Sequence, residues 1–176
     1  MKEQFIHIDE YGAKRHYSDR KMEIRHREDG PAIEHTEGYK AWFINGKRHR
    51  EDGPAIEYVD GSKSWYINGK LHREDGPAVE FTEGHKGWFI EGKRHREDGP
   101  AIEYANGSKA WYLNGKLHRE DGPAIEWPDG PKVWYLNGKC LTEKEFDARM
   151  NPVELTLQEV AEKLLSIEVN KLKIKK

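Results

Sequence analysis

The sequence predicts a mainly β fold: an array of 23-residue β-hairpin repeats forming an elongated, twisted antiparallel sheet or solenoid, with a small helical C-terminal cap. Three observations predict it. His26, His49, His72, His95 and His118 recur every 23 residues, and so do Trp42, Trp65, Trp88, Trp111 and Trp134. A period kept this strictly means that each unit meets its neighbours by one fixed transformation. Each period holds three turn signals, which leaves room for short strands and none for helices. Finally, 35% of the residues are apolar and 35% charged, with a mean hydropathy of −1.02. That is poor in aliphatic side chains for a compact globule of 176 residues, while six Trp, eight Tyr and regular turn chemistry argue against disorder.

In chain order, residues 1–24 read as a degenerate N-terminal capping repeat in the same register. Five full units follow without insertion at 25–47, 48–70, 71–93, 94–116 and 117–139, and 140–176 has a different composition. The unit RHREDGPAIEYVDGSKSWYINGK, residues 48–70, shows the logic. Asp52-Gly53-Pro54 is a turn, because proline lacks the N–H a ladder would need. Asp60-Gly61 and Asn68-Gly69 are hairpin dipeptides. With Asp60-Gly61 as a two-residue loop, Glu57 faces Ser64 and Ile56 faces Trp65. Ile56, Tyr58, Lys63, Trp65 and Ile67 then share one face, the expected core. Ala55, Glu57, Ser64 and Tyr66 share the other.

That second face carries the candidate binding residues. Phe43, Tyr66, Phe89, Tyr112 and Tyr135 stand beside small residues, with Glu57, Glu80 and Glu103 rimming the shallow pockets this arrangement implies. Exposed ring stripes are costly unless a partner uses them. A finer pattern is superposed: units one and three carry TEG.K.WFI.GKRH, units two and four GSK.WY..NGKLH. Alternation at 46 residues fits either a duplicated pair or alternating environments.

In the C-terminal segment, Thr142 with Glu145 and Thr156 with Glu159 form capping boxes, and Leu157, Val160, Ala161, Leu164 and Leu165 fall on one helical face. A helical cap over the last hairpin is expected, since repeat arrays need one.

The segments YVDGSKSWYINGKLH and YANGSKAWYLNGKLH resemble MORN repeats, which run about 23 residues and are built on a tyrosine, a D/N-G turn, a tryptophan and an N-G-K turn. HREDGPA joined to WYLNGK is similar to the MORN-variant repeats of bacterial and bacteriophage proteins. The resemblance covers residues 25–139 and departs from MORN units at HREDGPA, which stands where those continue with H-G-x-G. It implies stacked hairpins and a role in protein–protein contact; some bacterial relatives are described as antitoxin components.

The His-Arg-Glu-Asp ladder invites a metal array, but each copy adds an arginine, the bidentate partner of carboxylates, so a structural turn ladder is expected and no metal or cofactor. His35 and His85 break the repeat at a Tyr58-type position and at a turn. Neither they nor the lone Cys140 completes a nucleophile or acid–base constellation, and no P-loop, G-x-S-x-G or H-E-x-x-H occurs, so an enzyme is not expected. A net charge of −2 favours neither nucleic acid nor an anionic membrane. TLQEVAEKL resembles the first helix of a helix-turn-helix, but the chain ends where a recognition helix would run. With one cysteine and no apolar leader or span, a soluble cytoplasmic protein is expected, in the host cytoplasm if phage-encoded. The expected function is a non-enzymatic module that binds another protein, with a homodimer through the exposed sheet face as one form. The alternative is a stoichiometric inhibitor of an enzyme, either an antitoxin or a phage anti-defence protein.

Overall fold

The computed structural model describes residues 5–152, 159–162 and 164–167. The chain divides into two units, Met1–Leu141 and Thr142–Lys176. The first is the hairpin array. An eleven-stranded antiparallel sheet runs its length, flanked by five two-stranded ribbons. Each of the first four full repeats contributes two strands to the long sheet and then one ribbon; the fifth contributes one strand, Ile125–Glu126, before its ribbon. In unit two these are Ile56–Glu57, Lys63–Ser64 and the ribbon of Tyr66–Ile67 with Lys70–Leu71. Lys63–Ser64 pairs backward with Ile56–Glu57 and forward with Val79–Glu80 of the next unit, so the sheet passes through every repeat without a break.

The two hairpin turns of a unit differ, and the difference changes the pairing. At Asn68-Gly69 both residues take positive φ, +51° and +84°. That geometry closes a two-residue loop between Ile67 and Lys70, as the sequence predicts. At Asp60-Gly61 only the glycine does, at +88°. The Asp60 carboxylate accepts from Ser62 N at 2.9 Å, Tyr58 N donates to Ser62 O at 2.9 Å, and the loop holds three residues, Val59, Asp60 and Gly61. The consequence is a one-residue slip. Ile56 lies opposite Ser64 and Glu57 opposite Lys63, not Trp65 and Ser64, and a slip of one exchanges the faces.

The expected faces are therefore corrected. Ala32, Ile33, Ala41, Phe43 and Ile56 form one buried cluster with Tyr39 and Tyr66 against it. The Phe43-type rings thus turn toward the Ile and Ala side chains of the long sheet. Phe43 is 8% exposed, and Tyr66, Phe89, Tyr112 and Tyr135 are half-buried. In unit three the space beside the small residue is filled: a Cβ added at Gly87 would meet Phe89 Cε2 at 2.8 Å, so the ring occupies it. The Trp ladder is not the core. Trp65 lies outside both strands, donates its N–H to Ala78 O at 2.8 Å and accepts from His72 N at 3.1 Å.

The N-terminal repeat is present but not in the same register. Lys14 pairs with Glu34 and Arg15 with Ile33 as Lys40 pairs with Glu57 and Ala41 with Ile56, and His26 N donates to His16 O as His49 N does to Trp42 O. Position 16 therefore corresponds to 42, an offset of 26 against the usual 23. Three additional residues lie in the turn after Tyr17, and His16 takes the Trp position.

In the second unit, Glu143–Met150 is an α-helix. Thr142 Oγ1 accepts from Glu145 N at 3.2 Å while Glu145 Oε2 accepts from Thr142 N at 2.9 Å, the predicted capping box. Residues 159–162 and 164–167 are helical, with Val160, Ala161, Leu164 and Leu165 exposed. Thr156 and Leu157 lie outside the described residues.

Candidate functional site

The sheet hairpins have two ends. At one end sit the HREDGPA turns; at the other, the three-residue tips.

The HREDGPA turn is built around its arginine. Arg73 donates from Nε to Asp75 at 2.9 Å, and from Nη1 to Glu80 at 2.9 Å and to Pro77 O at 3.3 Å. Its guanidinium carbon lies 4.1 Å from the centre of the Trp65 ring of the preceding unit. Arg50, Arg96 and Arg119 stack on Trp42, Trp88 and Trp111 in the same way, at 3.9–4.1 Å. Such stacking within ion pairs is stabilising where water is partly excluded. The glycine of the motif serves this packing rather than a positive φ: a Cβ at Gly76 would meet Arg73 Cζ at 3.0 Å. The guanidinium therefore lies between an indole and a glycine, and a larger residue at Gly76 would require it to shift. Hydrogen bonding to the arginines, with their charge second, holds Asp29, Asp52, Asp75 and Asp98 below the usual carboxylate range. Asp121 is lowered by the Arg119 hydrogen bond against a smaller opposing effect of burial.

The histidines are equally engaged. His49 Nδ1 accepts from Asn68 N at 3.2 Å, and Nε2 lies 3.5 Å from Glu51; His95 and His118 do the same with Asn114 N and Asn137 N. Each histidine thus ties the turn of its unit to the ribbon tip of the same unit, 19 residues on. His16, lacking an indole's stacking face, instead places Nε2 3.2 Å from Arg27 Nη1, and burial followed by the Arg27 charge lowers its pKa.

The predicted rim carboxylates belong to this network. Glu57, Glu80 and Glu103 each accept from an arginine Nη1, at 2.9–3.2 Å. Hollows of 640 to 710 Å³ lie between consecutive HREDGPA turns, but their arginines, histidines and carboxylates are already bonded to one another. Among the described residues no group of three or more His, Cys, Asp or Glu side chains is placed to hold a metal ion, and no helix is long and apolar enough to cross a membrane.

The hairpin tips are different. Tyr58, Phe81, Tyr104 and Trp127 occupy equivalent positions in successive units and are 37–48% exposed. Sequence reasoning missed them because the one-residue slip placed Tyr58 on the core face. The usable signal was an aromatic ring in every unit, His35 included, beside a turn where no core demands one. Between these rings the alternation at 46 residues acquires a physical meaning. Tyr39 packs edge-on against His35 and Tyr58, and His85 against Phe81 and Tyr104, with ring centres 5.3–6.4 Å apart. The alternate positions hold Ser62 and Ser108, both buried. The environments alternate along the tip edge: ring triplets, then gaps floored by serine.

The two gaps are not equivalent. Ser62 Oγ donates to Asp60 Oδ2 at 2.9 Å and accepts from Thr82 N at 3.2 Å. At the second gap Asn106 replaces Asp60, and Pro128, which has no N–H, replaces Thr82. Ser108 is 4% exposed and its Oγ has no hydrogen-bond partner among the described residues. It lines a groove of about 590 Å³ together with Asn106, Trp127, Pro128, Asp129 and Pro131.

No protein-family model and no curated protein matches the chain.

Proposed function

We propose that the chain is a non-catalytic, MORN-like interaction array that binds another protein through its hairpin-tip edge. One observation carries the reading: Tyr58, Phe81, Tyr104 and Trp127 stand exposed at one position of four successive units, although the fold closes its core without them. Large rings with few rotatable bonds, held on a rigid scaffold, give contact area at low entropic cost. Of the series first expected to bind, Phe43 lies in the buried cluster and Tyr66 packs against it, Phe89, Tyr112 and Tyr135 are half-buried, and Glu57, Glu80 and Glu103 hold arginines.

The test is capture of partners from the native host with the wild-type chain and with the triple variant Tyr58→Ser, Phe81→Ser, Tyr104→Ser. Binding should fall by about 1–3 kcal/mol for each central ring, while stability changes by no more than about 0.5 kcal/mol per site. A partner that binds both chains equally would overturn the proposal. A captured one-to-one complex with a silenced enzyme would identify the array as an inhibitor.

A further inference from the structure

We infer that the tip edge recognises a proline-rich segment in the polyproline II conformation, anchored in the groove between the last two tips, at Ser108 and Trp127. The inference rests on the tip-edge reading and supplies its ligand.

The first argument is pitch. Each of the first four full repeats adds two strands to the long sheet, so equivalent tip rings recur about every 9.6 Å, twice the strand spacing. A polyproline II helix rises about 9.3 Å per three-residue turn. A chain in that conformation, laid along the edge, therefore offers one side chain per tip at nearly the same period. An extended β-strand, at about 3.3 Å per residue, points alternate residues to opposite sides and repeats on one face every 6.6 Å, which does not match.

The second argument is chemical. Proline rings pack on flat aromatic surfaces, and a polyproline II backbone leaves its carbonyls without internal partners. The groove supplies both complements: the Trp127 ring with Pro128 and Pro131 as apolar walls, and among its lining the Ser108 hydroxyl, a donor with no partner among the described residues. Leaving such a hydroxyl buried and unbonded costs stability. The sister gap at Ser62, where Asp60 and Thr82 satisfy the hydroxyl, shows that the fold can avoid that cost with the residues it uses elsewhere.

Charge does not select the ligand: Glu37, Glu83 and Asp129 stand exposed at the tips, each followed three residues on by an exposed lysine, Lys40, Lys86 and Lys132.

Calorimetric titration of the full chain with the synthetic peptide (Pro-Pro-Lys)4 tests this, with (Gly-Ser-Lys)4 as a probe of equal length and charge. The proline peptide should bind saturably and at least about tenfold more tightly than the glycine–serine peptide. Trp127→Ala should weaken it by about tenfold or more, and Ser108→Ala by about fivefold, the worth of one hydrogen bond. Ser108→Ala should melt at or above the wild-type temperature, since it removes a buried hydroxyl that has no partner among the described residues. Equal affinity for the two peptides, no heat at millimolar peptide, or binding indifferent to Trp127→Ala would each overturn the inference. If the proline peptide fails while the Tyr58, Phe81, Tyr104 variant still loses a captured partner, the ligand class is wrong and the tip edge stands. If that variant loses nothing, the tip edge itself is wrong.

Discussion

The two ends of the hairpins follow opposite rules. At one end HREDGPA is spelled identically five times; at the other the tips read HTEGY, YVDGS, FTEGH, YANGS and WPDGP. At the constant end nearly every polar group is spent inside the molecule: arginine on an indole, an aspartate, a glutamate and a carbonyl, and histidine on the ribbon tip of its own unit. At the varied end rings face solvent and the Ser108 hydroxyl has no partner among the described residues. Within this chain, then, repetition marks the residues that hold one unit to the next. Variation marks the tips, where the rings stand exposed. Under the proposed function, a search that follows the loudest motif arrives at the end that holds the array together.

The largest expected effect tests the constant end at its hub. Arg73→Ala removes three hydrogen bonds and the stack on Trp65, and should cost about 3 kcal/mol in urea unfolding. Lysine, which lacks the planar fork, should restore little of it. Trp88→Ala removes the platform under Arg96 and should cost about 2–3 kcal/mol. Combined with Arg96→Ala it should fall short of additivity by about 1 kcal/mol in a double-mutant cycle. Additive losses would mean that the stack is not an energetic unit.

Gly76→Ala isolates the steric part of the same turn. The backbone there is not left-handed, so the cost comes from a methyl group pressed on Arg73 Cζ, about 1–2 kcal/mol by chemical denaturation. Wild-type stability would show that the guanidinium can move aside freely.

Acid provides a graded test. The folded state lowers the pKa of Asp29, Asp52, Asp75, Asp98 and Asp121 through their arginines. A lowered carboxylate pKa means that the unfolded chain binds the proton more tightly. The stabilisation is therefore complete above the ordinary aspartate value, about 4, and is lost as pH falls through the lower folded values. Melting temperatures between pH 6 and pH 2 should be level at first and then decline below about pH 4. Asp75→Asn should be less stable at neutral pH and lose less on acidification. A decline that begins near pH 6 would point to other groups.

The smallest expected effect is at the varied end. The triple tip variant Tyr58→Ser, Phe81→Ser, Tyr104→Ser should stay within about 0.5 kcal/mol per site of wild type, as exposed positions do. A collapse of the melting temperature would make the tips structural and erase the contrast between the two ends.

Much of this architecture was legible in the residues. The 23-residue period, the absence of helix from the units, the two-residue Asn68-Gly69 turn and the Thr142–Glu145 capping box need only local chemistry: φ preferences, a missing proline N–H, and reciprocal side-chain bonds. The faces needed more. Asp-Gly closes either a two-residue or a three-residue loop depending on whether the aspartate takes positive φ, and Asp60 does not because its carboxylate is bonded to Ser62 N. That single choice moved Ile56 from opposite Trp65 to opposite Ser64, turned the Phe43-type rings inward and brought the Tyr58-type rings to the surface. The three additional residues that carry His16 into a tryptophan's place were hidden for a similar reason, since an insertion shows only once strands are paired.

The sequence by itself determined that this protein is a stacked array of short hairpins, because turn chemistry acts within a few residues and a strict period leaves one way to combine the units. Tertiary structure alone decided which side of each hairpin is interior, which arginine lies on which indole, and that Ser62 is satisfied while Ser108 is not. Those outcomes depend on contacts between units about 20 residues apart, and a one-residue shift in a loop, nearly invisible in the letters, reverses all of them at once.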